Sequence, residues 1–169
     1  MFAILVKEGR IDNDKIHFIF VGRMGGDIKD YISSSPLKSS IETIPYVTHS
    51  ESINYLMKAD AMLLLIDEDK YSKMILSGKV FEYLGAAQLT GKPVFAIAGD
   101  GEARDLLTET GGGIVTPHNK PEILKENFLK LYNGFFENKT SFSPNKEAIK
   151  SYERRLLSEK LAGLFNEFI

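Results

Sequence analysis

Two short apolar runs limit what this chain can fold into more than any other feature. Ala61-Met62-Leu63-Leu64-Leu65-Ile66 is apolar without interruption, and Val94-Phe95-Ala96-Ile97-Ala98 repeats the pattern after Gly91-Lys92-Pro93. A strand with one wet face alternates apolar and polar residues, whereas a strand covered on both faces reads as one apolar block. The first run therefore reads as a strand at the centre of a parallel sheet, and the second as another buried strand.

Between the runs lies Ser77-Gly78-Lys79-Val80-Phe81-Glu82-Tyr83-Leu84-Gly85, a small-residue loop followed by a helix. The N–H groups at a helix start, with the positive end of the helix dipole, favour an anion. Lys79 adds a cation in that first turn, and Glu82 follows three residues later on the same face as a buried-side carboxylate. Together they suit a phosphate and a sugar hydroxyl. The plainer alternative is that Ser77 caps the helix and Glu82 serves only that helix.

The rest of the chain repeats the strand–helix alternation. Residues 2–7 read as the tail of a helix. Residues 17–21 form a β-rich run ended by Gly22, and Gly25-Gly26 precede a short helix at 27–32. Residues 41–47, interrupted by Pro45, read as an edge-like strand. A helix over 52–59 is expected to be capped by Ser50 or Ser52. A helix over 102–110 ends at Gly111-Gly112-Gly113, and Ile114-Val115-Thr116 is one more strand. Pro121 opens a helix carrying Ile123, Leu124, Phe128, Leu131, Tyr132 and Phe135 at helical spacing. After a polar linker, residues 149–168 read as a long amphipathic C-terminal helix, with Ser158 as a possible restart. This order implies an α/β protein built on a doubly wound parallel sheet, Rossmann-like. The 169 residues fit a single domain, with 139–169 as a C-terminal helical segment. Ligands of such sheets bind beyond the C-terminal strand ends. The loops expected there are 22–26, 67–78 and 99–101.

Composition removes several classes of function. A net charge of −2 argues against nucleic acid as the main partner. With no cysteine there is no disulfide, thiolate metal site or cysteine nucleophile. No apolar stretch approaches the ~20 residues of a membrane span. The expected setting is cytoplasmic, at most peripheral to a membrane. Gly99-x-Gly101 lacks the third glycine of a dinucleotide fingerprint, since Arg104 stands there, and no acid follows the next strand. Asp67-Glu68-Asp69 after a strand is the best metal candidate, but adjacent acids in a loop read more simply as a solvated turn. A phospho-accepting receiver is disfavoured, because Gly22-Arg23 rather than an acid pair follows the first visible strand. His17, His49 and His118 are scattered, and neither a P-loop nor a Ser-His-Asp pattern occurs. Arg23 is placed to meet a phosphate in bidentate fashion.

The pieces occur in a recognisable order: Phe18-Ile19-Phe20-Val21-Gly22, residues 44–49, Ala59-Asp60-Ala61-Met62-Leu63-Leu64-Leu65, Gly78-Lys79-Val80-Phe81-Glu82-Tyr83-Leu84, Gly91-Lys92-Pro93-Val94 and residues 111–115. Over residues 18–132 this resembles the C-terminal, donor-binding half of GT-B glycosyltransferases. The group in question is the large retaining one, family-4-like, that includes glycogen synthase-like and capsule-type enzymes of polysaccharide biosynthesis. The resemblance implies binding of a nucleotide-diphosphate sugar and transfer of its sugar to an acceptor hydroxyl. It implies no metal or other cofactor. It makes Glu82 the ribose ligand and Ser77, Gly78 and Lys79 the diphosphate loop. Gly22 and Arg23 would line the phosphate side, and Val47 would lie beside the base. Met74 stands where such enzymes have the first glutamate of an E-x7-E motif, which meets the donor sugar. Residues 85–90 are about one helical turn longer than the pattern. The resemblance also implies that a first strand and an N-terminal acceptor domain belong before Met1, so no catalytic residue is identified in this chain. It leaves the apolar C-terminal helix as a surface for self-association. The alternatives of the same architecture are a non-catalytic nucleotide-sugar or protein-binding module, and half of a nucleotide-sugar epimerase.

Overall fold

The computed structural model describes residues 1–67, 72–74, 76–137 and 142–167. Among them the protein is α/β, with eight α-helices and five parallel strands. The chain falls into two compact units: Met1–Tyr55 with Pro121–Thr140, and Leu56–Lys120 with Ser141–Ile169.

The first unit contains α1 (Phe2–Lys7), β1 (Phe18–Val21), α2 (Gly26–Ser34), β2 (Ile41–Ile44), the start of α3 (His49–Lys58), and, later in the chain, α6 (Pro121–Phe136). β1 and β2 pair in parallel, Phe18 opposite Ile41 and Val21 opposite Ile44. Its core is aromatic. The Phe2 ring centroid lies 5.0 Å from that of Phe18 and 4.4 Å from that of Phe128. Leu5, Ile11, Leu129 and Leu131 are buried with them. Polar contacts fix α6 within this unit: the Tyr132 hydroxyl accepts from the Asp12 N–H at 3.0 Å, and Lys125 Nζ lies 3.0 Å from Glu8 Oε2.

Two expectations change here. β2 ends at Ile44 and does not run on to residue 47. Pro45 has no N–H for a ladder, so it stops the pairing. The cap of α3 is Thr48, not Ser50 or Ser52. Thr48 Oγ1 accepts from the Glu51 N–H at 3.3 Å, and Glu51 Oε2 accepts from the Thr48 N–H at 2.9 Å and from its hydroxyl at 2.7 Å. This reciprocal T-x-x-E capping box closes both orphan donors. The same bonds hold the Glu51 carboxyl below its usual pKa, the hydroxyl contributing most.

The second unit is built on β3 (Met62–Leu65), β4 (Val94–Ile97) and β5 (Gly113–Thr116), in the order β3-β4-β5, all parallel. With them come α4 (Gly78–Thr90), α5 (Glu102–Glu109), α7 (Lys146–Lys150) and α8 (Arg154–Asn166). The core joins Met62, Leu64, Val94 and Ala96 of the strands to Val80, Leu84 and Ala87 of α4, Leu106 and Leu107 of α5, and Ile149 of α7. Val80, Leu84 and Ala87 recur at i, i+4, i+7, the spacing of one helix face. α5 ends in a Schellman turn: the Gly111 and Gly112 N–H groups donate to Thr108 and Leu107 carbonyls at 3.1 and 3.0 Å, with Gly111 at φ +56°.

The described strands form two small parallel sheets, β1-β2 in the first unit and β3-β4-β5 in the second. β4 alone is covered as a both-faces-buried strand should be, with Val94, Phe95 and Ala96 at 3% exposure or less. The C-terminal helix is also corrected. It is two helices, because Tyr152 leaves the helical path and Glu153 is extended (ψ 135°) as the N-cap of α8. The Tyr152 hydroxyl donates to Glu109 Oε2 at 3.0 Å, and its ring sits 6.2 Å from Phe81. That bond to the neutral phenol raises the Tyr152 pKa. Ser158 lies inside α8 and starts nothing.

Candidate functional site

The strongest candidate is the first turn of α4, which follows the loop leaving β3. Ser77 is its N-cap, with extended backbone (φ −67°, ψ 138°). Its hydroxyl accepts from the Lys79 N–H at 3.4 Å, a long bond, and its carbonyl accepts from the Val80 N–H at 3.0 Å. Gly78 and Lys79 are exposed. A weakly capped helix start with an exposed cation is chemically an anion seat.

Glu82 is not the capping carboxylate. A capping-box acid stands three residues after the cap, and that position is Val80. Nor does Glu82 lie on the buried side, as expected. At about 100° per residue it projects opposite the Val80–Leu84–Ala87 face. It is half-buried, and it shares its outer flank with Lys79, three residues before it. Tyr83, beside it, has its pKa raised by burial and, secondarily, by the Glu82 charge. An acceptor carboxylate one turn into a helix whose first turn can hold an anion has the polarity needed for a sugar hydroxyl beside a phosphate.

Met74 ends a 3-10 turn (Ser72–Met74) and is 73% exposed. The backbone of that turn lies on Gly101: a Cβ there would come within 2.6 Å of both Lys73 Cα and Lys73 O, and Gly101 has φ +147°. Gly101 is therefore covered by the Ser72–Met74 turn. Asp100 and Arg104 pair with each other beside it. The cleft lined by Ile66, Ala98, Gly99, Asp100 and Arg104 has a volume of about 10 Å³, room for about one water and not for a nucleotide. Sequence reasoning missed this covering turn; the signal was a glycine with no ligand-binding partner pattern around it.

The remaining candidates lie in the first unit. Gly22 (φ +126°) continues the β1 ladder, its N–H donating to the Ile44 carbonyl at 2.9 Å, and only glycine takes that backbone without strain. Arg23 follows it and is exposed; Val47, three residues past the end of β2, is half-buried. The candidates thus form two groups, Gly22, Arg23 and Val47 in one unit and Ser77, Gly78, Lys79 and Glu82 in the other. Asp67 is exposed, and its expected partners Glu68 and Asp69 lie outside the described residues. Among the described residues no cluster of three or more His, Cys, Asp or Glu is placed to hold a metal ion. His17 Nε2 lies 3.2 Å from Glu42 Oε2 across the β1–β2 pair. His118 Nε2 is buried without a hydrogen-bond partner among the described residues. No helix there is long and apolar enough to cross a membrane.

Comparison of the chain with protein-family models, curated proteins and solved structures finds no significant match.

Proposed function

We propose that the chain is the donor-binding domain of a nucleotide-sugar glycosyltransferase and that the first turn of α4 holds the donor diphosphate. The observation that carries this reading is the pairing, on one helix, of a weakly capped and exposed start at Ser77-Gly78-Lys79 with Glu82 one turn further on. On this reading the N–H groups of the turn and the Lys79 ammonium take the two phosphates, and the Glu82 carboxylate accepts from a ribose hydroxyl. The α4 seat is proposed from the second unit alone; Gly22, Arg23 and Val47 belong to the first.

The finer parts of the proposal follow the resemblance. The strands would belong to a doubly wound, Rossmann-like GT-B half, and a separate domain would supply the acceptor site and the catalytic groups. The sugar would pass to an acceptor hydroxyl with retention, in polysaccharide biosynthesis in the cytoplasm. The helix dipole and cations would stabilise the leaving diphosphate in place of a metal. A non-catalytic binding module is the second reading. It is favoured by Met74, an exposed thioether where a carboxylate would meet the donor sugar.

A thermal-shift series with UDP, GDP and ADP tests the proposal. One of the three is expected to raise the melting temperature in a concentration-dependent way, by mass action on the folded state. Glu82→Gln is expected to remove about 1–3 kcal/mol of that binding, as a lost charge-assisted hydrogen bond should, with the unliganded melting temperature little changed. No shift with any of the three, or equal shifts in the variant, would count against it.

A further inference from the structure

The start of α4 is held weakly by its own residues. The cap bond from the Lys79 N–H to the Ser77 hydroxyl is long, at 3.4 Å. An anion is bound best by N–H groups already in place, since ordering them on binding costs affinity. The chain that enters the helix therefore needs a second anchor. The Ser72–Met74 turn ends three residues before Ser77. Lys73 and Met74 are both exposed, so burial of their side chains does not fix the turn. Its contact is through the main chain.

That contact is with Gly101. Its φ of +147° is one that a residue with a side chain rarely adopts. A Cβ there would stand 2.6 Å from Lys73 Cα, 2.6 Å from Lys73 O and 3.0 Å from Lys73 C. These are main-chain atoms, so no change of rotamer relieves the clash. Gly101 is itself firmly placed. It is the N-cap of α5, its carbonyl accepting from the Asp105 N–H at 3.0 Å. Leu106 and Leu107 bind α5 into the core. Gly99, two residues earlier, has neither constraint: a Cβ there meets nothing within 4 Å. All of these residues belong to the second unit.

We propose that Gly101 is a positioning residue for the α4 seat. It accepts the backbone of the Ser72–Met74 turn against the start of α5, and so fixes the chain that brings Ser77, Gly78 and Lys79 to their places. The inference rests on the reading of that helix start as a diphosphate site, and it adds where the order of the site comes from. Support runs from the core through α5 to Gly101, from there to the Lys73 backbone, and along the chain to Ser77. Gly101 touches no ligand on this account; it acts by preorganising the groups that do.

Amide resonances of the ¹⁵N-labelled full chain test it, first alone and then with UDP, GDP and ADP. Gly101→Ala is expected to shift or broaden Gly78, Lys79 and Val80 in the unliganded chain. It is also expected to weaken binding of the nucleoside diphosphate by about tenfold, within the range for a residue that acts without touching the ligand. Gly99→Ala is expected to change neither. Slow exchange of the Met62 and Val94 amides, whose ladder bonds lie at the opposite end of the sheet, shows that a variant folds. Lys73→Pro disturbs the turn from the other side, because the residue before a proline is pushed out of helical backbone. Lys73 is exposed, so the core is spared, and the same three resonances are expected to move. Where Gly101→Ala does not fold, Lys73→Pro carries the test. Unchanged resonances in either folded variant would overturn the proposal, as would moved resonances with undiminished affinity. A parent chain that binds none of the three nucleotides would refute the diphosphate reading instead, and the unliganded resonances would still decide whether Gly101 sets the helix start.

Discussion

Leu84→Ala is expected to destabilise the β3-β4-β5 unit by about 2–5 kcal/mol, the range for a fully buried leucine. Leu84 is 1% exposed and is the middle residue of the α4 face that meets the sheet. Its truncation removes apolar area and leaves a cavity that a packed core closes only in part. The site depends on this packing, because Glu82 lies two residues earlier on the same helix. Leu84 also has an unusual neighbour. A Cβ built on Gly112 would stand 2.1 Å from Leu84 Cδ2 and 3.0 Å from Thr110 Oγ1. Gly112→Ala alone should therefore overpack the core at a cost of about 1–3 kcal/mol. In the Leu84→Ala background the same methyl enters vacated space. The two changes together are expected to cost less than the sum of the two alone, by more than about 0.5 kcal/mol. Urea titrations of the four proteins measure this; simple additivity would show that Leu84 does not lie against Gly112.

Gly113→Ala is expected to destabilise the second unit by about 3 kcal/mol or more. The new Cβ would lie 2.3 Å from the Val94 carbonyl oxygen and 2.9 Å from Val94 Cβ. Val94 is opposite Gly113 in the β4–β5 register and is wholly buried. Relief here requires moving a ladder backbone, not rotating a side chain. Against a total stability of about 5–15 kcal/mol for a typical domain, such a loss should show as a strongly lowered melting temperature. A melting temperature within a few degrees of the parent would contradict the close approach of the two strands.

The strand and helix sequence was legible because it rests on local signals. The blocks at 61–66 and 94–98, the glycines at 111–113 and Pro121 each mark an element by chain geometry alone, and the elements stand there. What escaped the reading depends on partners distant in sequence. Whether an apolar block sits at the centre or the edge of a sheet is set by strands elsewhere, so the run at 61–66 marks a strand without fixing its place in a sheet. The break in the C-terminal helix is set by Tyr152 reaching Glu109, 43 residues away. The Thr48–Glu51 box is local and readable; the expected caps, Ser50 and Ser52, lie two and four residues beyond Thr48. At the site, the helix start at Ser77 was visible, while the side of α4 from which Glu82 projects required the core face to be known.

The diphosphate seat on α4 is tested most directly by following backbone amide resonances while a nucleoside diphosphate is added to the ¹⁵N-labelled chain. The expected result is saturable shifts concentrated at Gly78, Lys79 and Val80, with Glu82 next. Inorganic phosphate should move the first three more weakly, and Glu82 should respond only when the ribose is present. Saturable binding that leaves the first turn of α4 unmoved, or no binding of UDP, GDP or ADP at millimolar concentration, would contradict the assignment.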